Sequence, residues 1–369
     1  MPSNTLGNQF TVSSFGESHG KCIGAIVDGC PAGLHLSEAD IQPLLDLRKP
    51  GQSIITTQRR ETDTVEILSG VFNGFTTGAP ICMIIWNKDS DSRSYDEFMS
   101  KPRPGHADYT AYLKYGGFND YRGSGRFSGR LTATIVMGGA IALKILKNIL
   151  NIDIISYTKS IGDVSVESAE IPFDTLSENR YLNDVRCPDP ETAERMKDLI
   201  LSARKEGDSL GGIIECIVRG APRGLGEPIF ESIESEISKG IFSIPAVKGL
   251  EFGSGFRGST MKGSENNDSF VIDKSTGNII TDTNKSGGIL GGITDGMPIV
   301  FRVAFKPAAS ISRPQRTVNL KDMTESQLVV TGRHDPCVVP RAPPVVDSIA
   351  AIVLLDCCSK SNLIPRVVR

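Results

Sequence analysis

Three short segments of the sequence combine histidine with glycine, arginine or acidic residues, a mixture that points to chemistry. They hold three of the four histidines and are Gly16–Gly20 (GESHG), Arg103–Asp108 (RPGHAD) and Gly332–Pro336 (GRHDP). An unperturbed imidazole titrates near neutral pH, so it suits proton transfer or donation to a leaving anion. A single loop histidine is more often a turn residue with its hydrogen bonds made within the protein. Three histidines in segments with glycine, arginine or acidic residues favour catalysis. His35 lies between two leucines, and we expect it to have a structural role.

A fourth segment, Gly125–Arg130 (GRFSGR), precedes an apolar stretch with helical spacing. Glycines allow close approach of the backbone to a ligand, Ser128 offers a hydroxyl, and Arg126 and Arg130 offer forked donors near a helix N-terminus. This pattern predicts a site for a phosphate or a carboxylate. The alternative is a structural turn whose arginines pair with acids elsewhere in the chain.

Further cations and glycines lie in predicted loops. Lys306–Ser310 (KPAAS) follows a predicted strand and resembles a rigid turn that cradles a phosphate. Gly287–Gly292 (GGILGG) suits close backbone contact with a flat ring system, or else forms a tight turn with buried Ile and Leu. The remaining cations in loops are Arg48, Lys49, Arg59, Arg60, Arg313 and Arg333. Several of these are expected to be ordinary surface charges.

Composition restricts the classes of protein to consider. Lys and Arg total 40 against 43 Asp and Glu, and a net charge of −3 disfavours general nucleic-acid binding. The eight cysteines lack the two-residue spacing of a zinc knuckle, so we expect reduced, mostly buried thiols and no metal site. We find no secretory signal and no apolar run long enough for a membrane span, so we expect a cytoplasmic protein. Together, the spacing and chemistry of the segments described above favour an enzyme that acts on a small polyanion.

Apolar periodicity predicts the elements that position these segments. Helices are expected after Ser37 and over 132–150, 191–205 and 345–358, the last apolar nearly all round and therefore central. Strands are expected over 23–27, 65–68, 81–86, 212–219 and 299–305. Helices and strands mix without a βαβ rhythm, which favours a layered α+β fold.

The motifs, taken in order, resemble the chorismate synthase family over Asn4 to about Ser359. Gly16–Gly20 is similar to the first family signature, Ser128–Thr132 (SGRLT) to the second, and Arg333–Cys337 (RHDPC) to the third. Arg103–Tyr109 and Gly287–Gly292 are also similar to family segments. The resemblance implies an anti-1,4-elimination that converts 5-enolpyruvylshikimate 3-phosphate to chorismate with reduced FMN, the last step of the shikimate pathway of aromatic amino acid biosynthesis.

The resemblance also implies roles for individual residues. His19 would protonate or stabilise the departing phosphate, His106 would keep the reduced flavin in its productive protonation state, and Asp335 would work with flavin N5. The substrate would be bound by Ser18, Arg48, Arg103 and Arg130. FMN would be bound by Arg126, Phe127, Ser128, Ala246, Gly291, Lys306, Pro307, Ala308, Ala309, Ser310 and Arg333.

The chain departs from the family pattern at three positions. Ile54 stands where many members have a second arginine, so one anion contact is missing or is replaced by Arg59 or Arg60. Asp347 stands where the third signature usually has Glu, and Ala308 replaces a frequent Thr.

For the whole chain, the resemblance implies one domain over 1–369, a β-α-β sandwich with helices between antiparallel sheets, and a homotetramer. Some members reduce their own flavin with NADPH; here we expect reliance on an external flavin reductase. Two other functions stay open: an FMN-dependent oxidoreductase acting on a small anionic substrate, and a non-catalytic binder of phosphorylated ligands or RNA.

Overall fold

A computed structural model describes residues 3–56, 62–88, 93–167, 171–332 and 334–368. Within these ranges, two five-stranded sheets enclose a layer of helices, and every pairing between their strands is antiparallel. This confirms the layered α+β sandwich expected from the sequence.

The first sheet comes from the N-terminal part of the chain and has the order β1-β2-β3-β7-β4. Its central strand, β3, has Ile23, Ala25 and Val27 fully buried, as the short apolar run predicted. The strands are β1 (Thr5–Leu6), β2 (Thr11–Gly16), β3 (Cys22–Asp28), β4 (Glu66–Ile67) and β7 (Ile81–Trp86).

The second sheet has the order β11-β16-β10-β8-β9. In β16 the burial alternates, with Ile299, Phe301 and Val303 fully buried, as expected of a strand with one face on a core. The strands are β8 (Asp153–Ile161), β9 (Val164–Ser165), β10 (Gly212–Arg219), β11 (Val247–Phe252) and β16 (Ile299–Phe305).

Helices α3 (Thr132–Ile145) and α8 (Pro343–Lys360) pack against each other between the sheets. Adjacent glycines on α3 allow this close packing. A Cβ at Gly139 would lie 2.1 Å from Cβ of Ser348 on α8, and one at Gly138 would lie 2.5 Å from Cγ2 of Val12 on β2. In α8 every residue from Pro343 to Cys358 is buried, so the central position predicted for this helix is confirmed.

The remaining elements surround this core. The other helices are α1 (Glu38–Arg48), α2 (Asp108–Tyr115), α4 (Phe173–Asn179), α5 (Pro190–Lys205), α6 (Ile233–Ile241) and α7 (Gly263–Asn266). The small hairpins are β5–β6 (Val71–Phe72, Phe75–Thr76), β12–β13 (Phe270–Ile272, Ile279–Thr281), β14–β15 (Ile289–Leu290, Ile293–Thr294) and β17–β18 (Gln315–Asn319, Thr324–Leu328).

Two elements are shorter than the sequence predicted. The helix expected over 132–150 changes to π-helical hydrogen bonding over Leu146–Leu150. The strand expected over 65–68 is shortened to Glu66–Ile67, because it lies at the edge of its sheet and pairs only with part of β7.

One segment within the described ranges, Gly129–Leu150, is long and apolar enough to cross a membrane, contrary to the sequence expectation. It contains α3, and 61% of its apolar 18-residue stretch is buried inside the protein, so it is a core helix. All eight cysteines are free, and six are buried, as expected.

Candidate active site

The Arg103 guanidinium is the hub of the first group of side chains. Arg103 is 4% exposed, and its guanidinium is paired with Asp108 through two hydrogen bonds of 2.8 Å each. It also donates to Oγ of Ser124 at 2.9 Å and to Oγ of Ser310 at 3.1 Å. Its carbon Cζ lies 4.5 Å from the centre of the Phe98 ring. One buried cation therefore joins segments around positions 103, 124 and 310.

The His106 ring lies against this cation. Its Nδ1 is 2.7 Å from Oδ1 of Asp108 and 3.1 Å from Nη2 of Arg103. Because a carboxylate only accepts and a guanidinium only donates, a proton on Nδ1 satisfies the shorter contact. In that tautomer Nε2 is an acceptor, 3.4 Å from Oγ of Ser124. Burial lowers the pKa of His106, Arg103 and Lys306 lower it further, and Asp108 opposes the shift. The ring is therefore neutral at pH 7.

A tight turn of residues 122–127 connects His106 with His19. Gly123, Ser124 and Gly125 all have positive φ, between 50° and 69°. A Cβ at Gly123 would lie 2.2 Å from Cδ2 of His19, so only glycine leaves room for that ring. The carbonyl of Gly125 accepts a hydrogen bond of 3.2 Å from the backbone N–H of Ser18. The turn thus holds the Ser18–His19 segment on one side and His106 on the other.

Ser18 and His19, which belong to the segment Gly16–Gly20, are buried. His19 is 6% exposed and lies edge-on to Tyr95, with 5.2 Å between the ring centres. Ser18 is 1% exposed, and its Oγ has no hydrogen-bond partner among the described residues. A buried hydroxyl without a partner is costly unless a ligand or water completes it.

Asn87 links this segment to Arg130. Its Nδ2 donates to the carbonyls of Glu17 at 3.1 Å and Gly20 at 2.9 Å, on either side of Ser18 and His19. Its Oδ1 accepts from Nε of Arg130 at 2.9 Å. The amide therefore fixes the His19 segment relative to the start of α3.

Arg130 and Arg48 share one buried carboxylate. Nη1 of Arg130 lies 2.6 Å from Oδ1 of Asp63, and Nη2 of Arg48 donates to Oδ2 of the same residue. The side chains of Arg48, Asp63 and Arg130 are 2%, 0% and 8% exposed. The two cations and the carboxylate between them thus lie in a region shielded from water.

Asp335 is joined to the same group through Arg341. Nη1 of Arg341 donates to Oδ2 of Asp335, and its Nε donates to the carbonyl of Arg48 at 3.1 Å. A continuous set of contacts thus connects His106, His19 and Asp335 within one chain. The three residues predicted to be catalytic lie in one cluster.

The segment Lys306–Ser310 joins the cluster beside His106. Nζ of Lys306 donates to the carbonyl of Gly105 at 2.8 Å, and its backbone N–H donates to the carbonyl of Ala246 at 2.9 Å. Burial lowers the pKa of Lys306, and the neighbouring Lys248 lowers it further. Phe127 and His106 line the same small pocket. This face therefore combines an aromatic ring, a turn and two lysines.

Other candidate residues have different surroundings. Arg126 donates to Asn4 and, at 3.2 Å, to the hydroxyl of Tyr115. The ion pair of Arg130 with Asp63 agrees with the alternative in which the arginines of this turn pair with acids elsewhere in the chain. Gly291 lies in the turn of the β14–β15 hairpin, and none of the contacts that join the cluster within the described ranges involves it. Arg333, Arg59 and Arg60 lie outside the described residues.

The remaining histidines differ in environment. His334 has a buried Nε2 with no hydrogen-bond partner among the described residues. Burial lowers its pKa, and the positive charge of Arg103 lowers it further. His35 is exposed and lies edge-on to Phe75, 5.6 Å between ring centres, which agrees with the structural role expected for it.

Comparison with known proteins identifies the family of the chain. A family model described as chorismate synthase matches residues 10–358. A chorismate synthase of Dehalococcoides mccartyi is 53% identical over 368 residues, covering 100% of both chains, and one of Korarchaeum cryptofilum is 56% identical, covering 96% of this chain and 97% of that one. The chain belongs to the chorismate synthase family. It is therefore a carbon–oxygen lyase.

The fold agrees with this membership. A crystal structure of chorismate synthase superposes with a TM-score of 0.76 at 31% identity, covering 96% of this chain and 93% of that chain. The sandwich described above is thus the chorismate synthase fold.

The three departures from the family pattern have visible structural settings. The carbonyl of Ala308 accepts a hydrogen bond of 2.7 Å from Oγ of Ser209. Ile54 is 55% exposed, and its carbonyl accepts a hydrogen bond from Arg204 on α5. Asp347 lies within α8 and pairs with Arg180 at 2.7 Å, and burial raises the pKa of Asp347. The shorter acid thus keeps an arginine partner.

Sequence analysis missed four residues of the cluster: Asp63, Asn87, Ser124 and Arg341. Asp63 lies next to a charged segment, and Asn87 follows a strand, so neither has a distinctive local signal. Ser124 lies between two glycines, a signal that could have been read as a turn with positive φ.

Proposed function

We propose that this protein catalyses the anti-1,4-elimination of phosphate from 5-enolpyruvylshikimate 3-phosphate, giving chorismate, with reduced FMN. The observation that carries the proposal is the convergence of buried arginines with His19, His106 and Asp335. Two carboxylates and a phosphate on the substrate require several fixed cations, and arginine suits this because its forked donors match carboxylate and phosphate. The proposed substrate-binding residues are Ser18, Arg48, Arg103 and Arg130.

The residues proposed to hold FMN fit such a group. Lys248 lies close enough to Lys306 to lower the pKa of Lys306. Two neighbouring positive charges favour an anion between or beside them. The pocket shared by Phe127 and His106 offers an aromatic wall next to the cluster. Reduced FMN would supply transient electron density to the breaking C–O bond. The remaining proposed contacts are Arg126, Ser128, Ala246, Gly291, Pro307, Ala308, Ala309, Ser310 and Arg333.

Each catalytic side chain has a proposed task that fits its surroundings. His19, buried beside Tyr95, would donate a proton or hydrogen bond to the departing phosphate. His106, kept neutral by burial and by Arg103, would present Nε2 as an acceptor toward the flavin side. Asp335, fixed by Arg341, would work with flavin N5 as the ring loses its proton. Burial of the whole cluster excludes water and strengthens these interactions.

We further propose that residues 1–369 form one domain, that the protein is a cytoplasmic homotetramer, and that an external flavin reductase supplies reduced FMN, with NADPH as the source of electrons. Association with further chains would cover large apolar side chains at the surface, of which Phe118 and Phe230 are 96% and 87% exposed. We propose no partnership with nucleic acid or membrane and no metal; the described residues contain no cluster of three potential metal ligands.

The test is anaerobic turnover with chemically reduced FMN and the enolpyruvyl substrate. We expect phosphate and chorismate to appear together, and His19→Ala to reduce kcat by about 100-fold or more, the usual contribution of a general acid. Glu325→Gln, at an exposed ion pair with Arg316, serves as the control and should leave kcat unchanged. Absence of chorismate from the wild-type reaction would contradict the proposal.

A further inference from the structure

We propose that Asp63 is a positioning residue that holds the guanidinium groups of Arg48 and Arg130 in place for an anionic group of the substrate. This inference rests on the proposed function. It assigns a task to a carboxylate that neither sequence motif nor comparison singles out.

The carboxylate divides its two oxygens between the two cations. Oδ1 accepts from Nη1 of Arg130 at 2.6 Å, and Oδ2 accepts from Nη2 of Arg48. Asp63 itself is 2% exposed, and its side chain is fully buried. Like charges this close repel strongly in a region of low dielectric, so without the carboxylate the two guanidiniums would move apart.

The backbone around Asp63 is fixed by the helix that carries Arg48. Gln42 of α1 donates from Nε2 to the carbonyl of Asp63 at 3.2 Å and accepts from the N–H of Val65 at 3.1 Å. Asp63 has a φ of 46°, a conformation that Asn, Asp and Gly adopt more readily than other residues. Asp63 is therefore held in place relative to α1 both by its backbone and by its ion pair with Arg48.

One cation of the pair, Arg48, retains a donor for a further anion. Nε of Arg48 is buried and has no hydrogen-bond partner among the described residues. Arg130 is held at its Nε by Asn87, which also fixes the segment of His19. Asp63 therefore positions the cations in a fixed relation to the residue proposed to act on the leaving phosphate.

The first test is Asp63→Asn, a substitution that keeps the shape and tolerates the positive φ. The amide can accept from one guanidinium but turns its own donors toward the other. We expect KM for the enolpyruvyl substrate to rise about 10- to 100-fold with kcat changed less than about threefold, because the cations act mainly on substrate binding. KM within twofold of the wild-type value would overturn the inference.

The second test separates the charge from a general structural effect. Asp63→Gly removes the carboxylate, accepts the positive φ and leaves room for a small anion. We expect sodium formate, but not sodium chloride at equal ionic strength, to lower the raised KM of this variant by about tenfold. A raised KM in a folded variant that formate and chloride affect equally would contradict the positioning role. If Asp63→Gly does not fold, the result for Asp63→Asn decides the question.

Two controls keep this outcome apart from failure of the proposed function. Glu325→Gln removes an exposed carboxylate paired with Arg316 and should leave KM unchanged, with or without formate. Wild-type protein is measured in the same assay. No turnover by the wild type would contradict the proposed function, whereas wild-type turnover with an unaltered KM in Asp63→Asn would contradict only the role of Asp63.

Discussion

At the scale of single residues, the cluster is governed by the burial of charged and titratable groups. His106 lies between the guanidinium of Arg103 and the carboxylate of Asp108, with Lys306 and His334 nearby. Burial opposes ionisation of Asp108, but hydrogen bonds from Arg103 and His106 hold its pKa well below the ordinary value. The acid thus stays charged and the imidazole stays neutral, which is a defined protonation state near pH 7.

This state predicts how stability depends on pH. Because the pKa values of His106 and His334 are lowered in the folded protein, the unfolded chain binds more protons as pH falls below about 6.5. The free energy of unfolding should therefore decrease as pH falls from 7.5 toward 5.5, by at most about 1.4 kcal/mol per pH unit for each histidine. Denaturant unfolding at several pH values measures this slope.

His106→Gln should make the slope shallower, because it removes one of the two groups. An unchanged slope in the variant, or a wild-type protein that becomes more stable on acidification over this range, would contradict the assigned protonation state. His35→Gln is the matched control, since His35 is exposed and outside the cluster.

At the scale of elements, the turn at residues 122–127 decides how close the two segments with the proposed catalytic histidines lie. Three consecutive residues with positive φ let the chain pass between His19 and His106. Ser124 bonds to Arg103 on one side, while Gly125 bonds to Ser18 on the other. The turn then leads through a short 3-10 segment, Gly129–Leu131, into α3. The core helix therefore anchors the turn that organises the site.

Gly123→Ala tests this organisation. The new Cβ would lie 2.2 Å from Cδ2 of His19, and alanine at a φ of 56° is strained by roughly 1 kcal/mol before any clash. We expect kcat/KM to fall about tenfold or more and the free energy of unfolding to fall by about 2 kcal/mol or more. Activity assays and denaturant unfolding provide the two measurements.

Gly263→Ala is the control for that substitution. Its Cβ would have no atom within 4 Å and its φ is not positive, so stability should change by less than about 0.5 kcal/mol. If both alanine variants behave like the wild type, the turn does not constrain His19.

At the scale of the whole molecule, the sequence predicted the elements with strong local signals. The apolar runs of β3, β7, β10 and β16, and the apolar α8, lie where the periodicity placed them. The family resemblance added the layered arrangement, which periodicity alone only favoured. The ends of the short edge strand β4 and the π-helical end after α3 were not resolved by pattern, because pairing at a sheet edge and local packing decide them.

The cluster residues divide in the same way. His19, His106 and Asp335 were predicted from motifs, whereas Asp63 pairs with arginines 15 and 67 positions away. Arg341 bonds to the carbonyl of Arg48, 293 positions away. No local pattern reports such a contact. The whole fold, with two sheets closing over α3 and α8, is what brings these loops together.

The most direct test of the central claim is the number of electrons consumed for each phosphate released. In an anaerobic titration with a limiting amount of reduced FMN and excess enolpyruvyl substrate, an elimination predicts many phosphates and many chorismates per reduced flavin, with the flavin still reduced at the end. One phosphate per flavin oxidised would indicate net redox transfer and would contradict the account.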